Sequence, residues 1–362
     1  MDTSDPQIIF DEYGYCNHCT NALSLLKKKL FNSDNERINK LNEIVSTIKK
    51  SSKGKKYDCI IGLSGGVDSS YLAYVVVKQL GLKPLAVHVD NGWNTELAIQ
   101  NIENIIKKLD IDLYTYVLDW EEFKDLQKAY LKASVIDLEV LSDNAIVVVI
   151  HRLMKKYGIK FFLIGHNYQS ESIMPSSWLY SPKYDGLNIR SIYKKFGSGK
   201  KLRTYPTFNL IEYIKYRFFN KSIPVNILDL INYNKKEAIE ILKKEFDWRD
   251  YGGKHYESKI TQFYQAYILP KKFNVDKRRA HLSSLIVSNQ ITRENALLNL
   301  NESLYNDLKL KEDINFFCKK LGITNLEFNE ILEKKPVSHY YYSSYNQFFN
   351  NILKIKGILK RQ

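Results

Sequence analysis

From Tyr57 to Asn167 the chain alternates short apolar runs with longer stretches whose apolar positions recur every three or four residues. The run Asp58–Leu63 is too short for a helix and reads as a buried strand, with a Gly-rich turn after it. A helix through Tyr71, Leu72, Val75, Val76 and Leu80 comes next and stops at Gly81. Leu85–Val89 predicts a second strand, and Leu97, Ile102, Ile105, Ile106 and Leu109 mark its crossover helix. Leu113–Leu118 is a third strand; helices over 121–133 and 143–157 then lead to the apolar strand Phe161–Ile164. Strands alternating with helices of this length predict an α/β fold built on a doubly wound parallel sheet.

Beyond Asn167 the strand signal fades. Residues 168–204 are rich in Tyr, Ser and Gly with little periodicity, which reads as a long functional or mobile loop. From Asn234 the pattern turns helical: Asn234 is placed to cap Lys235–Phe246, Gly252-Gly253 breaks the chain, and helices are expected at 257–268, 277–288, 292–308 and 312–321. The aromatic-rich segment from Pro336 carries no clear period. Residues 1–56 form a leader with a Cys-x-x-Cys turn, two Lys-rich helical stretches and a polar linker. The expected organisation is therefore 1–56, an α/β domain over 57–232, and a helical region over 233–362.

Composition adds little to this outline. The 362 residues are 44% hydrophobic and 26% charged, an ordinary globular balance. The net charge of +14 favours anionic ligands, but the lysines are scattered over many helices and read as solvated faces. No apolar run reaches the roughly 18 residues of a membrane span, and the N-terminus shows no secretion signal. Four cysteines are too few for a disulfide framework. A cytoplasmic protein without a membrane span is the expectation.

Chemistry first becomes legible at Ser64-Gly65-Gly66-Val67-Asp68-Ser69-Ser70, between the first strand and its helix. Two glycines let the backbone turn sharply and bring amide groups close to phosphate oxygens. The helix N-terminus adds unpaired donors, and the three serines add hydroxyls. Asp68 would repel phosphate unless a cation stood between them, which implies Mg²⁺. Neither the Walker pattern nor the dinucleotide Gly-x-Gly-x-x-Gly is present. The segment resembles the Ser-Gly-Gly-x-Asp-Ser signature of the PP-loop ATP-pyrophosphatase superfamily. That resemblance implies a loop gripping the β,γ-pyrophosphate of ATP while a substrate oxygen attacks the α-phosphorus. Asp90, at the end of the second strand, and Gly165-His166, at the end of the strand from Phe161, should face the same crevice.

A second signature lies downstream. Tyr251-Gly252-Gly253-Lys254-His255-Tyr256-Glu257-Ser258 and Asp276-Lys277-Arg278-Arg279-Ala280-His281-Leu282-Ser283, joined to the loop, closely resemble the N-acetyl sugar amidotransferase family of the WbpG/PseA type. The resemblance runs from Cys16 to about residue 300. It implies conversion of a sugar's acetamido group into an acetamidino group in bacterial O-antigen or nonulosonic-acid biosynthesis, with the sugar free or nucleotide-linked. In that chemistry ATP adenylates the amide oxygen and ammonia then displaces AMP. Glu257 or His255 would accept a proton from the ammonia. Arg278, Arg279 or Lys254 would offset charge on the substrate. No glutaminase signature is legible, so a separate glutaminase subunit is expected, with a channel-forming, cyclase-like partner implied by the resemblance.

Cys16 and Cys19 have zinc-knuckle spacing but supply only half of a tetrahedral site, with His18, His255, His281 and His339 as candidates for the remainder. Structural Zn²⁺ is the expectation. The main competing function is a tRNA-modifying PP-loop enzyme, lysidine synthase-like or a thiolase, which would need a focused basic surface. A non-catalytic assembly subunit and an asparagine or NAD synthetase-like amide former are weaker readings. The downstream signature favours the sugar, and no nucleic-acid partner is expected.

Overall fold

The computed structural model describes residues 1–29, 33–252 and 256–355. Its centre is a five-stranded parallel sheet in the order β3-β2-β1-β4-β5. The strands are β1 (Cys59–Gly62), β2 (Pro84–Asp90), β3 (Leu113–Val117), β4 (Phe161–Ile164) and β5 (Ile223–Asn226). Between them lie α3 (Val67–Tyr74), α4 (Glu96–Leu109), α5 (Trp120–Ala133), α6 (Val140–Tyr157), the single turn α7 (Tyr168–Glu171), α8 (Gly186–Phe196) and α9 (Leu210–Phe219). They follow α1 (Asn17–Lys29) and α2 (Asp34–Ser51) of the leader. After β5 come α10 (Lys235–Phe246), α11 (Lys259–Phe263), α12 (Leu269–Phe273), α13 (Lys277–Val287), α14 (Arg293–Asn301), α15 (Asp307–Leu321), α16 (Asn325–Glu333) and α17 (Tyr345–Ile355).

The two-residue alternation of a strand decides which face each side chain feeds. Cys59, Ile61 and Ala86 point to a core shared with α2, α3, α4 and α10, including Ile48, Leu72, Ile105 and Leu242. Ile60, Leu85 and Val87 point the other way, against Val149, Ile150 and Leu153 of α6. Both faces of the sheet are thus covered, as a parallel sheet requires. A third, larger core around Phe123, Tyr130, Phe263, Phe317 and Phe328 joins α5 to the C-terminal helices.

The doubly wound sheet is as expected, with four of its strands within a residue or two of their predicted limits. β5 is absent from the sequence reading because Ile-Pro-Val-Asn is short and carries a proline; at the sheet edge the missing amide costs nothing. The segment 168–204 contains α8, capped by Asp185 and anchored by Ile189, Ile192 and Tyr193. Asn234 does cap α10, accepting from the amides of Lys236 and Glu237. That helix packs on the sheet with Tyr233 and Trp248, so the stretch just after residue 233 shares the α/β core. The helix expected over 292–308 is broken into α14 and α15. Among the described residues, no helix is long and apolar enough to cross a membrane.

Candidate active site

The chain runs from β1 outward to β2 and β3, then returns to the other side of β1 with β4 and β5. The winding reverses between β1 and β4, and a crevice opens there at the carboxyl ends of the strands. The loop after β1, Ser64–Ser70, and the turn after β4, Gly165-His166, form its two lips. Gly165 allows this approach, because a Cβ there would stand 3.2 Å from the Asp68 carbonyl carbon.

Gly65 has φ +80°, and a Cβ would come 2.4 Å from the Ala98 carbonyl oxygen of α4. Only glycine satisfies both constraints. The carbonyl of Gly65 accepts from Trp248 Nε1 at 3.0 Å and Asn101 Nδ2 at 3.4 Å, which fixes the loop from below. Its polar groups bind one another: the Ser64 amide donates to Ser69 Oγ at 3.2 Å and the Gly66 amide to Ser64 Oγ at 3.3 Å. The Val67 amide donates to Tyr251 Oη at 3.1 Å. Asp68, in the first turn of α3, accepts a hydrogen bond from Tyr233 Oη. Burial, then the Asp68 charge, push the Tyr233 hydroxyl well above its ordinary pKa, so it stays a donor. Tyr251 is raised likewise by burial and then by Glu257. Ser70 lies beneath the loop, fully buried, its amide given to the Gly66 carbonyl at 3.0 Å.

Glu257 reaches the loop from the C-terminal region. Its carbonyl accepts from the Thr95 amide at 3.0 Å, and the Lys259 amide donates to the Trp93 carbonyl at 2.9 Å. This short pairing sets Glu257 Oε1 3.2 Å from the position a Gly66 Cβ would occupy. Ser64, Asp68, Ser69, Gly165, His166 and Glu257 all line one cavity of about 220 Å³. An adjoining cavity of about 540 Å³ shares Ser64, Ser69, His166 and Glu257 and extends over the ends of β1 and β2. Its far wall is formed by the start of α6, Lys183, Tyr264 and Lys277.

The crevice therefore assembles the loop, Gly165, His166 and Glu257, but not every expected residue. Asp90 turns back into its own loop, accepting from the Gly92 amide at 2.9 Å and Asn94 Nδ2 at 3.2 Å, and lines neither cavity. The neighbouring His88 lines the larger one instead. Its Nδ1 lies 2.9 Å from the Leu63 carbonyl, and burial lowers its pKa, so it is a neutral ring accepting from Asn94 at Nε2. Arg278 wraps around Asp276 at 2.8 Å and donates to the carbonyls of Asn299 and Glu302, closing the end of α14. Arg279 pairs with Asp2 at 2.8 Å. Neither arginine faces the cavities; Lys277, one residue earlier, does. Lys254 and His255 lie outside the described residues.

Sequence reasoning did not single out Tyr233, Trp248, Tyr251, Glu139, Asp143, Lys183 or Lys277 as site residues. Tyr251 and Lys277 stood inside the quoted signatures and Trp248 just ahead of the first; the others carried no local signal.

The carboxylates of Asp68, Glu171 and Glu257 around a phosphate-sized cavity fit a magnesium nucleotide, whose cation would neutralise their repulsion. No three His, Cys, Asp or Glu side chains converge on a metal position among the described residues. Magnesium would then be held largely by phosphate oxygens with one or two carboxylates. Cys16 and Cys19, whose sulfurs lie 3.3 Å apart, likewise gather no third such ligand among the described residues. His18 turns to Asp5 at 2.6 Å, and buried His339 bonds Asn188 and the Ile136 carbonyl. The residues described there do not complete the expected zinc site.

Residues 38–142 match the NAD synthase family. Residues 257–356 match the family described as LPS biosynthesis protein WbpG-like, C-terminal domain. Together the two matches support the WbpG type of the PP-loop ATP-pyrophosphatase superfamily. The chain is 31% identical over 149 residues to an uncharacterized protein of Methanocaldococcus jannaschii, covering 41% of this chain and 50% of that one. It is 28% identical over 192 residues to a glutamine-hydrolyzing GMP synthase of Thermosipho africanus, covering 51% and 33% respectively. The chain thus spans half or less of these curated relatives. Among solved structures it is similar to an NH3-dependent NAD synthetase from Campylobacter jejuni, with TM-score 0.30, 13% identity, and coverage of 59% and 94%. The WbpG-like domain begins at Glu257, the residue that closes over the loop.

Proposed function

We propose that this WbpG-type chain is the synthetase component of an ATP-dependent amidotransferase that converts an N-acetylated sugar to its acetamidino form in bacterial surface polysaccharide biosynthesis. The observation that carries this reading is the continuity of the two cavities. The phosphate-sized space at the loop opens into a larger one whose wall includes Lys277, Tyr264 and Ser258 of the WbpG-like domain. A nucleotide held by its pyrophosphate at the loop would present its α-phosphorus toward an acceptor in that larger space.

An amide oxygen is a poor leaving group, so it must be activated before ammonia can replace it. The acetamido oxygen attacks the α-phosphorus, the bond to the β-phosphate breaks, and pyrophosphate leaves. Ammonia adds to the imidate carbon, loses its excess proton to a base, and AMP departs with the former amide oxygen. Glu257, which lines both cavities, is the carboxylate proposed to accept that proton, and His255, outside the described residues, remains the alternative from the sequence. The loop amides and the serine hydroxyls would hold the departing pyrophosphate, with Mg²⁺ offsetting charge against Asp68.

Ammonia would come from a separate glutaminase subunit, with a channel-forming, cyclase-like subunit between them; the glutamine-hydrolyzing relative supports a glutaminase link. The test incubates the full chain with ATP, Mg²⁺, ammonium and a panel of N-acetylated sugars, neutral and acidic, free and nucleotide-linked. Release of AMP and pyrophosphate that depends on one sugar is expected. ADP and phosphate as products would refute the reading.

A further inference from the structure

The far wall of the larger cavity carries a charged cluster that does not line the cavity at the Gly-rich loop. Glu139 stands at the N-cap of α6 and Asp143 in its first turn. Lys277 Nζ meets Glu139 Oε2 at 2.5 Å, and Gln265 Nε2 donates to Glu139 Oε1 at 3.0 Å. Lys183 Nζ bridges buried Asp137 and Asp143, the latter at 3.2 Å. Asp137 is fixed from both sides: its amide donates to Tyr264 Oη at 2.6 Å, and its Oδ2 accepts the Tyr180 amide at 2.8 Å. It is also a non-glycine residue at φ +71°, a conformation L side chains seldom adopt. Such strain persists only where surrounding contacts over-determine it, and it gathers at binding sites. Gln265 and Tyr264 sit in a π-helical turn, another feature common at functional sites. Across the cavity, the buried Ser258 hydroxyl has no hydrogen-bond partner among the described residues.

The charge balance of this wall selects its ligand. Among the described residues Lys183 is matched by Asp137 and Asp143 and Lys277 by Glu139, so each ammonium group already has a carboxylate partner. A phosphate or carboxylate would gain nothing from lysines already neutralised. A hydroxyl, by contrast, can donate to a carboxylate oxygen and accept from the adjacent ammonium at the same time. A vicinal diol does this twice against paired groups held in fixed register.

Resting on the synthetase reading above, we propose that Glu139, Asp143, Lys183 and Lys277 form the acceptor subsite and read the ring hydroxyls of a sugar. The wall thereby holds the ring while its acetamido arm points back toward the loop. These four bind the acceptor directly, separate from the groups that handle phosphate.

The test measures binding of N-acetylglucosamine to the full chain by saturation-transfer NMR, for the native protein and for Asp143→Asn and Lys277→Gln. Loss of one charge-assisted hydrogen bond should raise the dissociation constant about tenfold in each variant. Affinity for a fluorescent ATP analogue and the melting profile should stay within about twofold and a few degrees of the native protein. Glu139→Gln, equal in shape, replaces any variant that fails to fold. No sugar binding to the native protein, or equal binding to the native protein and both variants, overturns the subsite. If sugar binding is weakened as expected but no sugar elicits AMP release, the subsite stands and the synthetase reading falls. If AMP release depends on a sugar whose KM no variant changes, the reverse holds.

Discussion

Gly65 carries the sharpest single-residue constraint in the crevice, because space and backbone conformation both exclude a side chain there. Gly65→Ala should lower stability by about 1–3 kcal/mol and abolish ATP binding, as thermal melting and nucleotide titration would record. Asp68→Asn keeps the shape of the loop but removes the charge proposed to face a magnesium nucleotide. Pyrophosphate formation should fall by about a hundredfold or more, whereas Tyr233→Phe, which removes only the hydrogen bond to Asp68, should cost about tenfold. Steady-state pyrophosphate release separates the two. Cys19 gives a prediction with a definite sign. Burial, reinforced by Cys16, pushes its thiol up to about 11 from an ordinary 9.0, so it stays protonated at pH 8. Iodoacetamide should label it slowly at pH 8 and faster as pH rises toward 11, since the thiolate is the reactive form. Rapid labelling at pH 8 would show that burial does not protect it.

At the level of elements, the crevice depends on contacts between segments far apart in sequence. Trp248 Nε1 and Asn101 Nδ2 both support the Gly65 carbonyl, tying α4 and the end of α10 to the loop. Trp248→Phe keeps the ring and loses the donor; KM for ATP should rise about three- to tenfold with kcat little changed. An unchanged KM would show that the loop holds its shape without that bond. The strand-loop-helix unit around Ser64 was legible because its periodicity, glycines and serines are all local. β5 was not, because whether Pro224 is tolerated depends on the edge position of its strand. Nor was α8, whose buried Ile189 and Ile192 sit among polar residues that read as loop. Asp90 shows the opposite failure: the right place at a strand end, but a side chain that satisfies its own turn.

For the whole molecule, the Gly-rich loop is far more conspicuous in the sequence than the far wall of the larger cavity. Signatures bring Ser64 and Glu257 to notice one at a time, but only the fold places Lys183, Glu139 and Lys277 on one wall. Arg278 was the more conspicuous cation, yet it serves the end of α14, while Lys277 reaches the cavity. The proposed division of labour has a consequence at this scale. The chain should use ammonium directly and gain use of glutamine only when a glutaminase is added. Glutamine consumption by the purified chain would contradict it.

The central claim is that the acetamido oxygen leaves with AMP. Acceptor labelled with ¹⁸O in the acetamido group, turned over with ATP and ammonium, tests this directly by mass spectrometry of the products. One ¹⁸O in the phosphate of AMP, with unlabelled pyrophosphate, is the predicted result. Unlabelled AMP, or label found in inorganic phosphate beside ADP, would contradict the account.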